Sequence, residues 1–336
     1  MNGSWLPLLR AEVDRLRWRR AVLLLVLGAV VVTAFTFTVT AWDTRPVSDE
    51  EVAEVRQTTY VVSEIDQCTA HPRRYLGPRA RGLDADEAAR TCEELVLGWY
   101  SGRPTLDVAS ELGNGFIACT VFVVLLLLLM GATFAGHDWS TGSMSNQLLY
   151  ETRRTRVWLA KALVVGVAGL VVSAVLLGAL WGGLLLLASS RDLPVPDAVV
   201  ADGWAQVART AVAAALATLL GFALAMLFRS TVATIAVLFA LAVSTGGLVA
   251  AAGLFSESSR WDPVTNIAAL VEGSASYYVD EGLDRECYTS YGEVRGRLPG
   301  CDPERTVGAV QGGLYTGLGV VVVGAASVLV HRRRDV

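Results

Sequence analysis

Residues 114–135 read Asn114-Gly-Phe-Ile-Ala-Cys-Thr-Val-Phe-Val-Val-Leu-Leu-Leu-Leu-Leu-Met-Gly-Ala-Thr-Phe-Ala135. None of these 22 residues carries a charge. As an α-helix the run is about 33 Å long, enough to cross a hydrocarbon core of about 30 Å. Its centre, Val123–Met130, shows no apolar–polar alternation, so a transmembrane β-strand is excluded. The stretch reads as a membrane-spanning helix, and the fold follows from how often such a run recurs.

Five further runs share its character: 21–42, 157–188, 204–228, 231–255 and 306–330. Charge is crowded between them. The chain of 336 residues is 18% charged with a mean hydropathy of +0.46, against about 25% charged for a soluble domain. The predicted fold class is an all-α integral membrane protein with six transmembrane helices. Glycine and proline inside the runs are tolerated in lipid. The run 157–188 exceeds what a bilayer needs, which predicts tilt or an extension beyond the lipid. Arg19 and Arg20 precede the first run as in a signal peptide. That run is too long and lacks a small-residue cleavage site, so it is expected to be retained.

Arginine and lysine placement orients the chain. With both termini cytoplasmic, segments 1–20, 136–156 and 331–336, together with Arg229 and Lys161, hold 13 basic and five acidic residues. The other side holds 15 basic and 27 acidic ones. The net charge of −4 averages two unlike faces and points to no nucleic-acid partner. The expected location is the cell membrane.

Segment 1–20 reads as an interfacial helix. Leu6, Leu9, Val13 and Leu16 recur at helical spacing, opposite Arg10, Asp14, Arg15 and Arg17, with Trp5 and Trp18 suited to the headgroup region. Segment 43–113 reads as an external helical cap. Ser48 and Glu51 predict a capping box opening a helix to about Ile65, and Asp84 with Glu87 a second one to about Trp99, with loop over 72–82. A second external region covers 256–305. Its apolar stretch Ile267–Val271 is too short to span.

Cys68 and Cys92 fall in the first external region, Cys287 and Cys301 in the second. Four cysteines allow three pairings. Local closure, Cys68–Cys92 and Cys287–Cys301, is expected in an oxidising compartment. Cys119, inside a span, reads as a small packing residue.

The loop 136–156 carries a glycine break at Gly142, then a short amphipathic helix on which Met144, Leu148 and Leu149 are expected to share a side. Arg153, Arg154 and Arg156 follow at the membrane surface, and Lys161, the only lysine in the chain, opens the third run. This segment resembles the signature loop of ABC-2-type permeases, the membrane subunits of a class of ABC transporters. That pattern has an acidic residue, a Gly-Thr/Ser step, a hydrophobic pair, Pro, one or two Arg, and a Lys at the third span. Asp138 stands where Glu is usual, and Thr152 where Pro is common. Gly142-Ser143, Leu148-Leu149, Arg153-Arg154 and Lys161 fit the remaining places. The order of an interfacial helix, six spans and a Pro-Val-Thr-Asn motif before the last span is similar too.

The resemblance implies a coupling helix that docks on a separate ABC-type ATPase. Asp138, Trp139, Gly142, Ser143, Met144, Leu148 and Leu149 would contact the ATPase. Arg153, Arg154 and Lys161 would anchor the loop at the membrane. It also implies a second permease copy or paralogue, with ATP and Mg bound by the partner and no cofactor in this chain. A P-loop needs Gly-Lys-Ser/Thr, and Ala160 precedes the single lysine, so the usual nucleotide site is excluded here. His71, His137 and His331 are scattered and suggest no metal cluster. Glu93-Glu94 fits a solvated helix face. Ionisable residues are nearly absent from the spans, which argues against proton coupling and against an intramembrane enzyme. Arg209, near a span end, is expected to snorkel. The expected function is an exporter permease for a hydrophobic or amphipathic substrate. The alternative is a membrane scaffold or sensor whose external cap binds a ligand.

Overall fold

The structure is a computed structural model that describes residues 5–77, 84–100, 103–240, 257–279, 287 and 301–333. Among these, five helices are long and apolar enough to cross a membrane: α2 (Arg20–Asp43), the stretch Val108–Ser140 comprising α7 (Val108–Gly113) and α8 (Gly115–Ser140), α10 (Arg154–Ser190), α11 (Asp197–Phe228) and α14 (Ala309–Arg333). The chain is an all-α membrane protein in its main body. The expected run 231–255 begins as α12 (Thr231–Ala240), and its remainder lies outside the described residues.

The chain forms two compact units, 1–37 with 108–336, and 38–107. In the first, α1 (Trp5–Arg17) packs on α10, and α9 (Ser143–Tyr150) on α8. Helix α11 packs against α8, α10 and α14. The α8–α11 crossing is close because two glycines remove side chains where the backbones meet. A Cβ on Gly131 would collide with the Thr218 carbonyl, and one on Gly221 with the Leu128 carbonyl. At Gly178 and Gly182, four residues apart on α10, the missing side chains instead admit the Trp204 indole.

Before α14 the fold departs from pure helix. Asp262 accepts from the Thr265 N–H at 3.1 Å and caps α13 (Pro263–Glu272), with Pro263 in its first turn. Ile267–Val271 lies within α13, which packs on α11 and α14. Strands β1 (Ser274–Tyr278) and β2 (Glu304–Gly308) then pair antiparallel, from Ser274↔Gly308 to Tyr278↔Glu304. The last helix therefore starts at Ala309 and not at 306. Exposure alternates along β1, as on a strand with one covered face. A Cys287–Cys301 disulfide closes the connection between the strands. Arg209, expected to snorkel, has specific partners. Its guanidinium donates to the Val271 and Glu272 carbonyls at 3.2 and 3.1 Å, satisfying the carbonyl end of α13.

The unit 38–107 is helical. Ser48 and Glu51 form the reciprocal capping box of α3 (Asp49–Gln57). The backbone turns extended at Thr58, so the expected single helix is two, α3 and α4 (Thr59–Ala70). Pro72 opens a short helix, α5 (Pro72–Leu76), inside the expected loop. Asp84 accepts from the Glu87 N–H at 2.7 Å ahead of α6 (Ala85–Tyr100). A Cys68–Cys92 disulfide ties α4 to α6 through a core of Val61, Leu76, Val96 and Leu97. Arg103 grips Glu51 in a two-pronged pair, with Nη1 donating to Oε2 at 2.9 Å. That pair, with the Ser48 N–H, holds the Glu51 carboxyl down at about 2.

Candidate functional site: a buried charge knot

Asp138 lies in the last turn of α8, where the helix dipole disfavours a negative charge. Two cations hold it there. Lys161 Nζ, from the second turn of α10, donates to Asp138 Oδ2 at 2.7 Å, and the Arg19 guanidinium, from the α1–α2 junction, bonds Asp138 Oδ1. Lys161 also donates to Glu12 Oε2 of α1 at 2.7 Å. Glu12, Asp138 and Lys161 are all fully buried.

The knot extends into α9. Gly142 takes φ +68°, a left-handed turn that suits glycine and reverses the chain between α8 and α9. The Ser143 hydroxyl then donates to Asp138 Oδ1 at 3.3 Å. Gln147 Nε2 donates to Glu12 Oε1 at 2.6 Å, while its carbonyl oxygen accepts from Arg15 at 2.6 Å. Arg15 reaches Glu12 directly at 3.2 Å. The Arg19 guanidinium also stacks on the Phe134 ring, 4.5 Å from its centroid. One charged network thus fastens α1, α8, α9 and α10 to one another.

This geometry revises the roles expected from the sequence. Asp138 faces inward on its cations and presents nothing to a partner. Lys161 is an internal tie, not a membrane anchor, because burial without a counter-ion would be prohibitive and two carboxylates surround it. On α9, Met144 is buried and Leu148 half-buried, whereas Leu149 and Tyr150 are 78% and 94% exposed. Met144 shares its inward side with Gln147 instead of Leu149. Arg153 is exposed, and Arg154 donates to the His331 carbonyl at 3.3 Å. Trp139 packs edge-on to the His331 ring, with the Arg229 guanidinium 4.4 Å from its centroid. The four cysteines lie in the two disulfides already described.

Sequence reading missed Glu12, Arg15, Arg19 and Gln147. Glu12 gave a signal: it stands between Leu9 and Leu16, three residues after one and four before the other, on the inward stripe of α1. No protein-family model, curated protein or solved structure matches this chain. Among the described residues no cluster of three His, Cys, Asp or Glu side chains is placed to hold a metal. The knot is closed and internally satisfied, so its chemistry is mechanical. It holds α9 rigidly to the helices behind it and leaves Leu149 and Tyr150 outward.

Proposed function

We propose that this chain is the permease subunit of an ABC-2-type transporter, with α9 as the coupling helix that docks on a separate ATPase. The observation that carries the proposal is α9 itself. Its inner face is locked to α1 and α8, which Lys161 ties to α10, and its outer face ends in exposed Leu149 and Tyr150. A push on such a helix is passed to the helices behind it. Apolar and aromatic side chains at an exposed tip suit a protein contact. In this reading α9 is cytoplasmic, α12 begins the fifth of six spans, a second copy or paralogue completes the conduit, and the substrate is hydrophobic or amphipathic and moves outward. ATP and Mg belong to the partner.

Replacing Leu149 and Tyr150 together by Glu puts charge on the contact while leaving the knot intact. Association with the ATPase is expected to weaken roughly tenfold or more. Substrate-stimulated ATP hydrolysis of the reconstituted complex falls with it. Unchanged stimulation with a correctly inserted variant refutes the docking role. The rival scaffold or sensor reading draws on the disulfide-tied unit 38–107. It requires ligand binding there that is indifferent to the α9 substitutions.

A further inference from the structure

Helices α10, α11 and α14 do not close on one another along their whole length. They leave a groove of about 580 Å³. Its floor is Trp158, Ala162, Gly166, Ala223 and Gly324, all buried, and its rims include Leu163, Val167 and Val321, all more than half exposed. The hollow exists because small residues sit where the three helices converge. It is preformed, because the Trp158 ring at one end is fixed by its N–H donating to Ser327 Oγ at 3.2 Å and by an edge contact to Phe222.

Dimensions decide what fits. Along α10 the lining runs from Trp158 to Leu170, about 18 Å at 1.5 Å per residue. Along α11 and α14 it runs eight residues, about 12 Å. Dividing 580 Å³ by those lengths gives a mean cross-section of about 30–50 Å². A helix with its side chains, about 10 Å across, needs about 80 Å². The slot is closer in width to an extended chain than to a helix with its side chains. The volume holds roughly twenty methylene-sized groups at about 30 Å³ each, which is the order of one long acyl chain.

Charge marks one end. The groove's last lining residue on α14 is Val328, and Arg332 follows one turn later on the same side, exposed, with Arg333 beside it. Arg154 stands four residues before Trp158, at the same end of α10. The nearby carboxylate of Glu151 is engaged by Arg156 at 3.2 Å. An apolar slot between membrane helices with a basic mouth matches an acyl chain joined to an anionic head group.

We propose that this groove is a binding site for one anionic phospholipid, with an acyl chain between α10, α11 and α14 and its phosphate at Arg332. The site does not depend on the ATPase reading. The test uses the full chain, purified in mild detergent, stripped of lipid and offered equal amounts of phosphatidylglycerol and phosphatidylcholine with identical chains. Native mass spectrometry then counts what is retained. One phosphatidylglycerol per chain is expected in preference to phosphatidylcholine. Arg332→Gln is expected to cut that preference roughly fivefold, the contribution of one basic residue near a charged surface. Ala325→Phe, from an exposed lining position, fills the slot and abolishes retention of both lipids. Val167→Phe repeats the plug from the opposite wall. Equal retention of the two lipids by the unaltered chain overturns the proposal without reference to any variant. So does wild-type retention by either plugged variant.

Discussion

Two carboxylates and three cations make up the knot, and that imbalance sets what each substitution does. Removing Lys161 leaves Asp138 with Arg19 and Glu12 with Arg15, a balanced pair of pairs. Removing the charge of Glu12 leaves Asp138 as the knot's one carboxylate against Lys161, Arg19 and Arg15. Glu12→Gln is therefore expected to be the more damaging change, costing about 3–5 kcal/mol as removing one partner of a buried ion pair does. Lys161→Met is expected to cost less, and the double variant to recover much of the Glu12→Gln loss. Thermal unfolding of the four proteins in one detergent measures the cycle. A Lys161→Met loss exceeding that of Glu12→Gln contradicts this account of the knot. Residue-level legibility was uneven for a physical reason. A lone lysine at the mouth of an apolar run is visible as an anomaly, but its partner lies 149 positions away. Only packing brings Glu12 to it, so a pattern confined to one loop described Asp138 as a contact surface and not as a tie.

Elements were more legible where the signal is local. Apolar runs and capping boxes are set by neighbouring residues, and both capping boxes formed where the sequence placed them. The β1–β2 pair and the Gly131–Gly221 crossing depend on partners far along the chain. That crossing gives a prediction. Gly131→Val must force α8 and α11 apart, with a loss of about 1–3 kcal/mol or more and a lower melting temperature. Gly317→Ala, where nothing lies within 4 Å, should stay within about 0.5 kcal/mol. Equal melting of the two variants removes the close-crossing argument. Within 38–107, the Cys68–Cys92 bond closes a loop with a sequence separation of 24, expected to contribute about 3 kcal/mol. Cys68→Ser with Cys92→Ser should make that segment the first to be cleaved in limited proteolysis. The Glu51 carboxylate, held at about 2 instead of its ordinary 4.5, helps above pH 4.5, and its help is lost as pH falls toward 2. Proteolytic resistance of the unit should thus be independent of pH around neutrality and fall as pH drops from 4.5 toward 2, and Arg103→Gln should lower it at neutral pH and flatten that fall.

At the scale of the whole molecule, the distribution of charge carried the most information. Arginines from α10, the α11–α12 turn and α14 gather near Trp139 and His331, the end at which α9 sits. A basic end of this kind is expected to face the cytoplasm, which places α9 where an ATPase could reach it. The membrane class was legible because an apolar run is long, contiguous and local in sequence. The partner proposed for α9 was not, because exposed Leu149 and Tyr150 do not by themselves name what would touch them. The most direct measurement is photo-crosslinking in native membranes, with the reactive group placed at Tyr150 and, as a control, at exposed Tyr60 in the other unit. An ATP-binding cassette protein, identified by mass spectrometry, is expected joined at position 150 and absent at position 60. An adduct pattern with no such ATPase at 150, or the same ATPase at both positions, contradicts it.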